Sequence, residues 1–200
     1  MAGCFSRGSK AKIGVIFSAV PPEVPTWPHV GYDYERRAEE LISKLREAIP
    51  EAEFTHRVVY YAADWHKPFI TDESKLHSLE DVKRILSEEM RDVVGFVVWY
   101  LGIWSAGIAQ AIAETGKPVV LVDDVFCGSG EFILSYAWLR EKGYRVAGVA
   151  SPNFKDIARK VRLLYLLHRL RDLRIVVVRT TSQDGSTPTR KPSRLSMEHS

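Results

Sequence analysis

The sequence predicts an α/β domain: a doubly wound parallel sheet in a flavodoxin-like three-layer sandwich. Three observations carry this expectation. Short apolar runs alternate with amphipathic stretches five times between residues 12 and 170. The central runs are apolar on both faces, as strands covered by helices on both sides must be. Glycine and proline punctuate the ends of the helical stretches. The expected strand order is 2-1-3-4-5.

Each element has its own signal. Residues 12–19 (KIGVIFSA) read as the first strand. Residues 35–49 place Ala38, Leu41, Ile42, Leu45, Ala48 and Ile49 on one helical face, and Pro50 stops the helix. Residues 57–62 (RVVYYA) read as the second strand. Ser78 and Asp81 have the spacing of a capping box, and Val82, Ile85, Leu86 and Met90 form the inner stripe behind it. Residues 93–101 (VVGFVVWYL) form strand three, and a small-residue helix over 105–115 ends at Gly116 and Pro118. Residues 119–123 (VVLVD) form strand four, 129–142 a helix, 145–150 (RVAGVA) strand five, and 153–170 a long final helix.

The flanks read differently. Residues 1–11 are basic and polar and are expected to be disordered, with no apolar stretch for a secretory signal. Residues 12–171 are the α/β domain. RIVVV (174–178) falls within residues 172–181, which read as the start of a second, incomplete α/β unit, and 182–200 as a disordered tail. The final helix carries VRLLYLLHRL (161–170), an apolar face too wide for one small sheet.

Composition narrows the class. The chain has 200 residues, 46% of them hydrophobic and 26% charged, enough to bury a core. No run approaches a membrane span, and two cysteines exclude a disulfide scaffold, so a cytoplasmic protein is expected. Net charge is +3; residues from Asn153 onward hold 11 basic and 4 acidic side chains, +7, leaving −4 for the rest. The basic end lacks any nucleic-acid-binding signature and reads as a solvated helix face plus tail, so neither a nucleic acid nor a membrane is an expected partner.

Open parallel sheets take ligands beyond the carboxyl ends of their strands. Strand one leads into VPPEVPTWPHVGY (20–32), with Trp27 and His29. Strand two leads to Asp64, Trp65 and His66. Strand three delivers Trp99, Tyr100, Gly102, Trp104 and Ser105, and strand four Asp123, Asp124 and Cys127. Aromatic faces with polar groups between them suit a small polyhydroxylated ligand, rings stacking on its C–H face. Trp27, His29, Trp65, Trp99, Tyr100 and Asp124 are the candidate substrate-binding residues. No catalytic or metal-binding residue is assigned.

Missing features exclude other chemistries. The strand-one loop is proline-rich, not the glycine-rich turn of a dinucleotide site, and its prolines remove the N–H donors of a flavodoxin phosphate loop. A phosphoacceptor receiver needs acidic residues where Ser18 and Ala19 stand. Gly128-Ser129-Gly130-Glu131 is read as a tight helix start or an anion site; it has no P-loop lysine.

ETGKPVVLVDDVFCGSGEF (114–132), with KIGVIFSA before it and VVGFVVWYLG between, resembles the N-terminal domain of the L-fucose/L-arabinose isomerase family. The resemblance implies an aldose–ketose isomerase that uses Mn2+ or another divalent metal, with the metal ligands in C-terminal domains missing from this chain. It implies a sugar substrate and a homo-oligomer, in which the aromatic after strand three, Trp99 or Tyr100, helps close a neighbour's site. The chain alone is then catalytically incomplete. The alternative is a stand-alone α/β module that binds a sugar or nucleotide without catalysis. A third reading is an interaction protein whose last helix and RIVVV segment dock a partner.

Overall fold

The computed structural model describes residues 10–102, 107–123 and 127–171. They form one five-stranded sheet, every neighbouring pair parallel, in the order β2-β1-β3-β4-β5. The strands are β1 (Ala11–Ala19), β2 (Ala52–Tyr60), β3 (Gly95–Tyr100), β4 (Val119–Asp123) and β5 (Val146–Ala150). The helices are α1 (Tyr34–Ala48), α2 (Leu79–Arg84), α3 (Ile108–Ala113), α4 (Ser129–Glu141) and α5 (Phe154–Arg171). The doubly wound fold and its strand order are those the sequence predicts. Residues 172–181 and 182–200, and with them the expected second unit and tail, lie outside the described residues.

Side-chain alternation along the strands builds two cores. Ile13, Val15 and Phe17 of β1 and Val97 and Trp99 of β3 face α1 and α5. Ile16 of β1 and Phe96, Val98 and Tyr100 of β3 face the layer of α2, α3 and α4. The crossover from one helix layer to the other falls between β1 and β3, the switch point at which such sheets open a crevice.

Local chemistry sets the helix limits. Asp33 caps α1, its carboxylate accepting from the Arg36 N–H at 2.9 Å. Ser78 and Asp81 make the predicted capping box: the Ser78 hydroxyl accepts from the Asp81 N–H at 3.1 Å, and the Asp81 carboxylate accepts from the Ser78 N–H at 3.0 Å. The helix is shorter than its apolar stripe suggests, because the ladder widens into a π-helical turn over Ile85–Glu89.

Strand two departs most from the expectation of 57–62. It begins five residues earlier, at Ala52, and ends at Tyr60. Ala52 and Phe54 alternate with Glu53 and Thr55, a half-exposed edge pattern that a search for apolar runs passes over. Tyr61 leaves the strand, although its N–H still donates to Ala19 O at 2.9 Å.

Candidate functional site

Two loops at the carboxyl ends of β1 and β2 bring three of the candidate residues, Trp27, His29 and Trp65, to one shallow groove. Residues 20–33 follow β1, and 61–78 follow β2. The first loop folds on itself: the Val24 N–H donates to Pro21 O at 3.0 Å, and the Gly31 N–H to Pro22 O at 2.6 Å. Gly31 has φ 79°, a left-handed turn that a side chain would strain. The Trp27–Pro28 peptide is cis. The second loop carries a 3-10 turn over Asp64–Phe69. Glu23 ties the two together, its carboxylate accepting from both the N–H and the hydroxyl of Thr71, each at 3.3 Å.

Between the loops lies a groove of about 520 Å³, lined by residues 25–30 and Trp65. Trp27 and Trp65 are 62% and 49% exposed, and both line it. His29, the third candidate, lines the same groove and also a second one of about 330 Å³ that reaches Asp33, Arg36 and Arg37. The His29 Nδ1 lies 2.9 Å from Val30 O.

An aromatic train holds this frame. His29 meets Tyr32 edge to face at 5.4 Å, Tyr32 meets Tyr34 at 5.0 Å, and Tyr34 meets Tyr60 at 6.1 Å. The Tyr34 hydroxyl donates to Trp27 O at 3.2 Å, and the Tyr60 hydroxyl donates to Glu35 at 3.2 Å. Burial pushes the Tyr34 pKa upward, with smaller contributions from Cys127 and Tyr32. The Tyr60 pKa also rises, first from burial and then from Glu35. Both phenols therefore stay protonated donors at neutral pH. The sequence reading missed Tyr34 and Tyr60, because each is the terminal residue of an element and reads as part of it.

His66 is a structural neighbour of Trp65. It is fully buried, its ring 3.7 Å from the indole, and its Nδ1 accepts from the Ala63 N–H at 3.0 Å. In the neutral ring this places the proton on Nε2. Burial lowers the His66 pKa, so the neutral form prevails at pH 7.

Trp99 and Tyr100 have a different setting from the one expected of them. Trp99 is 0% exposed, its ring 5.8 Å from Phe17 and stacked at 6.4 Å on Phe154. Tyr100 is equally buried on the opposite face, edge-on to Phe132. Both are core side chains, reached by the alternation that makes β3 apolar on both faces. Asp124 lies outside the described residues.

Tyr100 belongs to a polar row. Ser18 of β1 pairs with Tyr100 of β3, and Tyr100 with Asp123 of β4; all three side chains point toward the α2–α4 layer. The Asp123 carboxylate accepts from the Ser129 hydroxyl at 2.8 Å, tying the end of β4 to the start of α4. The Ser18 hydroxyl and the Trp99 indole N–H are buried without a hydrogen-bond partner among the described residues. The row is closed over, so it braces the strand ends and does not line the groove. Among the described residues, no group of three or more His, Cys, Asp or Glu side chains is placed to hold a metal.

Fold and groove together define a small α/β domain with an aromatic-walled groove at the carboxyl edge of its sheet. No family model matches the chain, and no curated protein matches it. Homoserine dehydrogenase from S. aureus is similar at 15% identity with a TM-score of 0.35, over 71% of this chain. The chain spans 32% of that protein's length. An oxidoreductase from Corynebacterium diphtheriae is similar at 14% identity and TM-score 0.39, covering 79% of this chain and 94% of its own. L-asparaginase I from Vibrio cholerae is similar at 14% identity and TM-score 0.31, covering 65% and 40%. Likenesses this distant carry no argument about activity.

These findings overturn the resemblance to the L-fucose/L-arabinose isomerase family. No model of that family matches, and the similar structures bear the names of other enzymes. Within the motif that suggested it, VDD followed by GSGEF, Asp123 ends β4 and Ser129 opens α4, and the Ser129 hydroxyl joins the two. The divalent metal rested on that resemblance alone; the completing C-terminal domains rested also on the RIVVV segment, which lies outside the described residues. Among the described residues, no helix is long and apolar enough to cross a membrane.

Proposed function

We propose that this chain is a small-molecule-binding α/β module whose ligand carries a sugar ring, free or as part of a nucleoside or nucleotide. One observation carries the reading: Trp27 and Trp65, on separate loops, expose their rings to the same groove. Paired aromatic faces suit the C–H face of a sugar or a base. His29 supplies a polar contact beside them, and Arg36 and Arg37 stand at the adjoining groove. The Thr71–Glu23 tie and the Tyr34–Trp27 hydrogen bond hold the walls before a ligand arrives, which lowers the ordering cost of binding.

Calorimetric titration of the full chain with D-ribose, D-galactose, adenosine and AMP tests this. The reading expects saturable binding to at least one, abolished in the Trp27→Ala/Trp65→Ala double variant. Failure of all four to bind, or unchanged binding by the double variant, overturns it.

A further inference from the structure

The amino-terminal end of the sheet carries a groove with a chemistry of its own. It holds about 380 Å³ and lies between the π-helical turn over Ile85–Glu89, the end of α3 and the residues that lead into β4. That volume is within the roughly 300–1,000 Å³ of small-molecule sites. Leu86, Phe96 and Ala111 line its floor, and all three belong to the buried interior. The widened turn carries Leu86 to the floor and Ser87 to the rim, a local distortion that recurs at functional sites.

The rim is basic. Lys83, Arg91 and Lys117 line the groove against one carboxylate, that of Glu114. Two more carboxylates stand outside it: Glu80 pairs with Lys83 at 3.4 Å, and Asp92 with Arg91 at 3.9 Å. Both pairs are exposed, so water screens them and leaves their cations open to a further partner. Lys117 is held differently. Its Nζ donates to Arg91 O and stands over the Phe96 ring, 5.7 Å from the centroid. It makes no ion pair among the described residues, and burial lowers its pKa, with Asp92 opposing and Arg171 adding to the effect. An ammonium drawn partly out of water, with a second cation nearby, gains from an anion that replaces the lost solvation.

We propose that this groove binds a small amphipathic monocarboxylate. Its carboxylate meets the Lys117 ammonium, and its apolar body lies over Leu86 and Ala111 between the aliphatic stems of the rim lysines. The charge balance selects a single negative charge: three cations attract it, and Glu114 on the same rim repels a polyanion. The apolar floor selects against a bare inorganic anion, which would desolvate without gaining contact. The groove lies at the amino ends of β3 and β4, and that of Trp27 and Trp65 at the carboxyl ends of β1 and β2, so the proposal stands apart from the sugar-ligand reading.

The test is calorimetric titration of the full chain with sodium octanoate, below its micellar range. Saturable binding at one site is expected. Octanol, the neutral counterpart, is expected to bind about tenfold more weakly, and acetate, which lacks the apolar body, to give no saturable heat over the same range. The Lys83→Met/Lys117→Met variant keeps the apolar stems and is expected to lose about tenfold in octanoate affinity. Ser87→Trp, at an exposed rim position, is expected to fill the groove and abolish binding with unchanged circular dichroism. Should the variants fail to fold, amide resonances of the unaltered chain replace them, with octanoate expected to move those of residues 83–91 and 111–117. Absence of octanoate binding overturns the proposal. So does octanol binding as tight as octanoate, binding that neither variant weakens, or shifts confined to other residues.

Discussion

Replacing Gly128 by alanine tests how tightly the β4 end of the sheet is built. A Cβ at Gly128 would stand 2.3 Å from the Tyr100 Cβ and 3.4 Å from Gly102 O. Ordinary carbon contacts begin near 3.5 Å, so about 1 Å of movement is required between two packed segments. Neither side yields easily: Tyr100 is buried under α4, and Gly128 opens the helix whose Ser129 is tied to Asp123. Overpacking of this kind costs about 1–3 kcal/mol, or about 3–10 °C of melting temperature in a domain of this size. Gly130→Ala is the control. Nothing lies within 4 Å of a Cβ there, and alanine favours the helix, so stability is expected to hold or to rise by up to about 1 kcal/mol. Thermal melts of the two variants, read by near-ultraviolet circular dichroism, decide the matter. A Gly128→Ala protein that melts with the wild type would refute the close approach of the α4 start to the end of β3.

Single Trp27→Ala and Trp65→Ala variants are each expected to weaken ligand binding about 3–10-fold, the worth of one aromatic contact, while leaving the melting temperature nearly unchanged; equal binding would remove that tryptophan from the site. Ser78→Ala is expected to cost about 1 kcal/mol in denaturant unfolding, since it removes the capping hydroxyl of α2. Hydrogen bonds from Ser78 hold the Asp81 pKa at about 2, below its unfolded value, so the cap stabilises above the unfolded pKa and is lost as pH falls toward 2; the Ser78→Ala protein should lose less stability over that range, and parallel curves would contradict this. The His66 pKa is lowered by burial, so the unfolded chain binds the proton more readily and stability falls as pH drops below about 6.5. Proton magnetic resonance of the His66 ring should show a midpoint below that value, and one above it would contradict the burial argument.

Periodicity made most of the fold legible. VVGFVVWYL and VVLVD are apolar on both faces because β3 and β4 lie between two helix layers, and that demand is written residue by residue. The start of β2 was not legible as an apolar run, because an edge strand can expose Glu53 and Arg57. The same logic explains the mixed outcome at the site. Trp27, His29 and Trp65 stand in loops rich in proline and polar residues, where a tryptophan has no core to fill, and the structure brings the three to one groove. Trp99 and Tyr100 stand in a strand that must be apolar on both faces, so their size serves packing. Loop position distinguishes the two groups; residue type does not. Tyr34 and Tyr60 carry no sequence signal of their role, since only the folded loops bring the Tyr34 hydroxyl to the Trp27 carbonyl. In the VDD and GSGEF motif, Asp123 and Ser129 serve the packing of this domain, holding the end of β4 to the start of α4.

The groove of Trp27 and Trp65 is proposed to receive a sugar-bearing ligand. The most direct test follows the indole N–H resonances of the 15N-labelled chain as ribose, galactose, adenosine and AMP are added in turn. The Trp27 and Trp65 signals are expected to move together and saturate with at least one of these, while the buried Trp99 signal stays in place. Unmoved Trp27 and Trp65 signals with all four, or saturable shifts confined to other tryptophans, would contradict it.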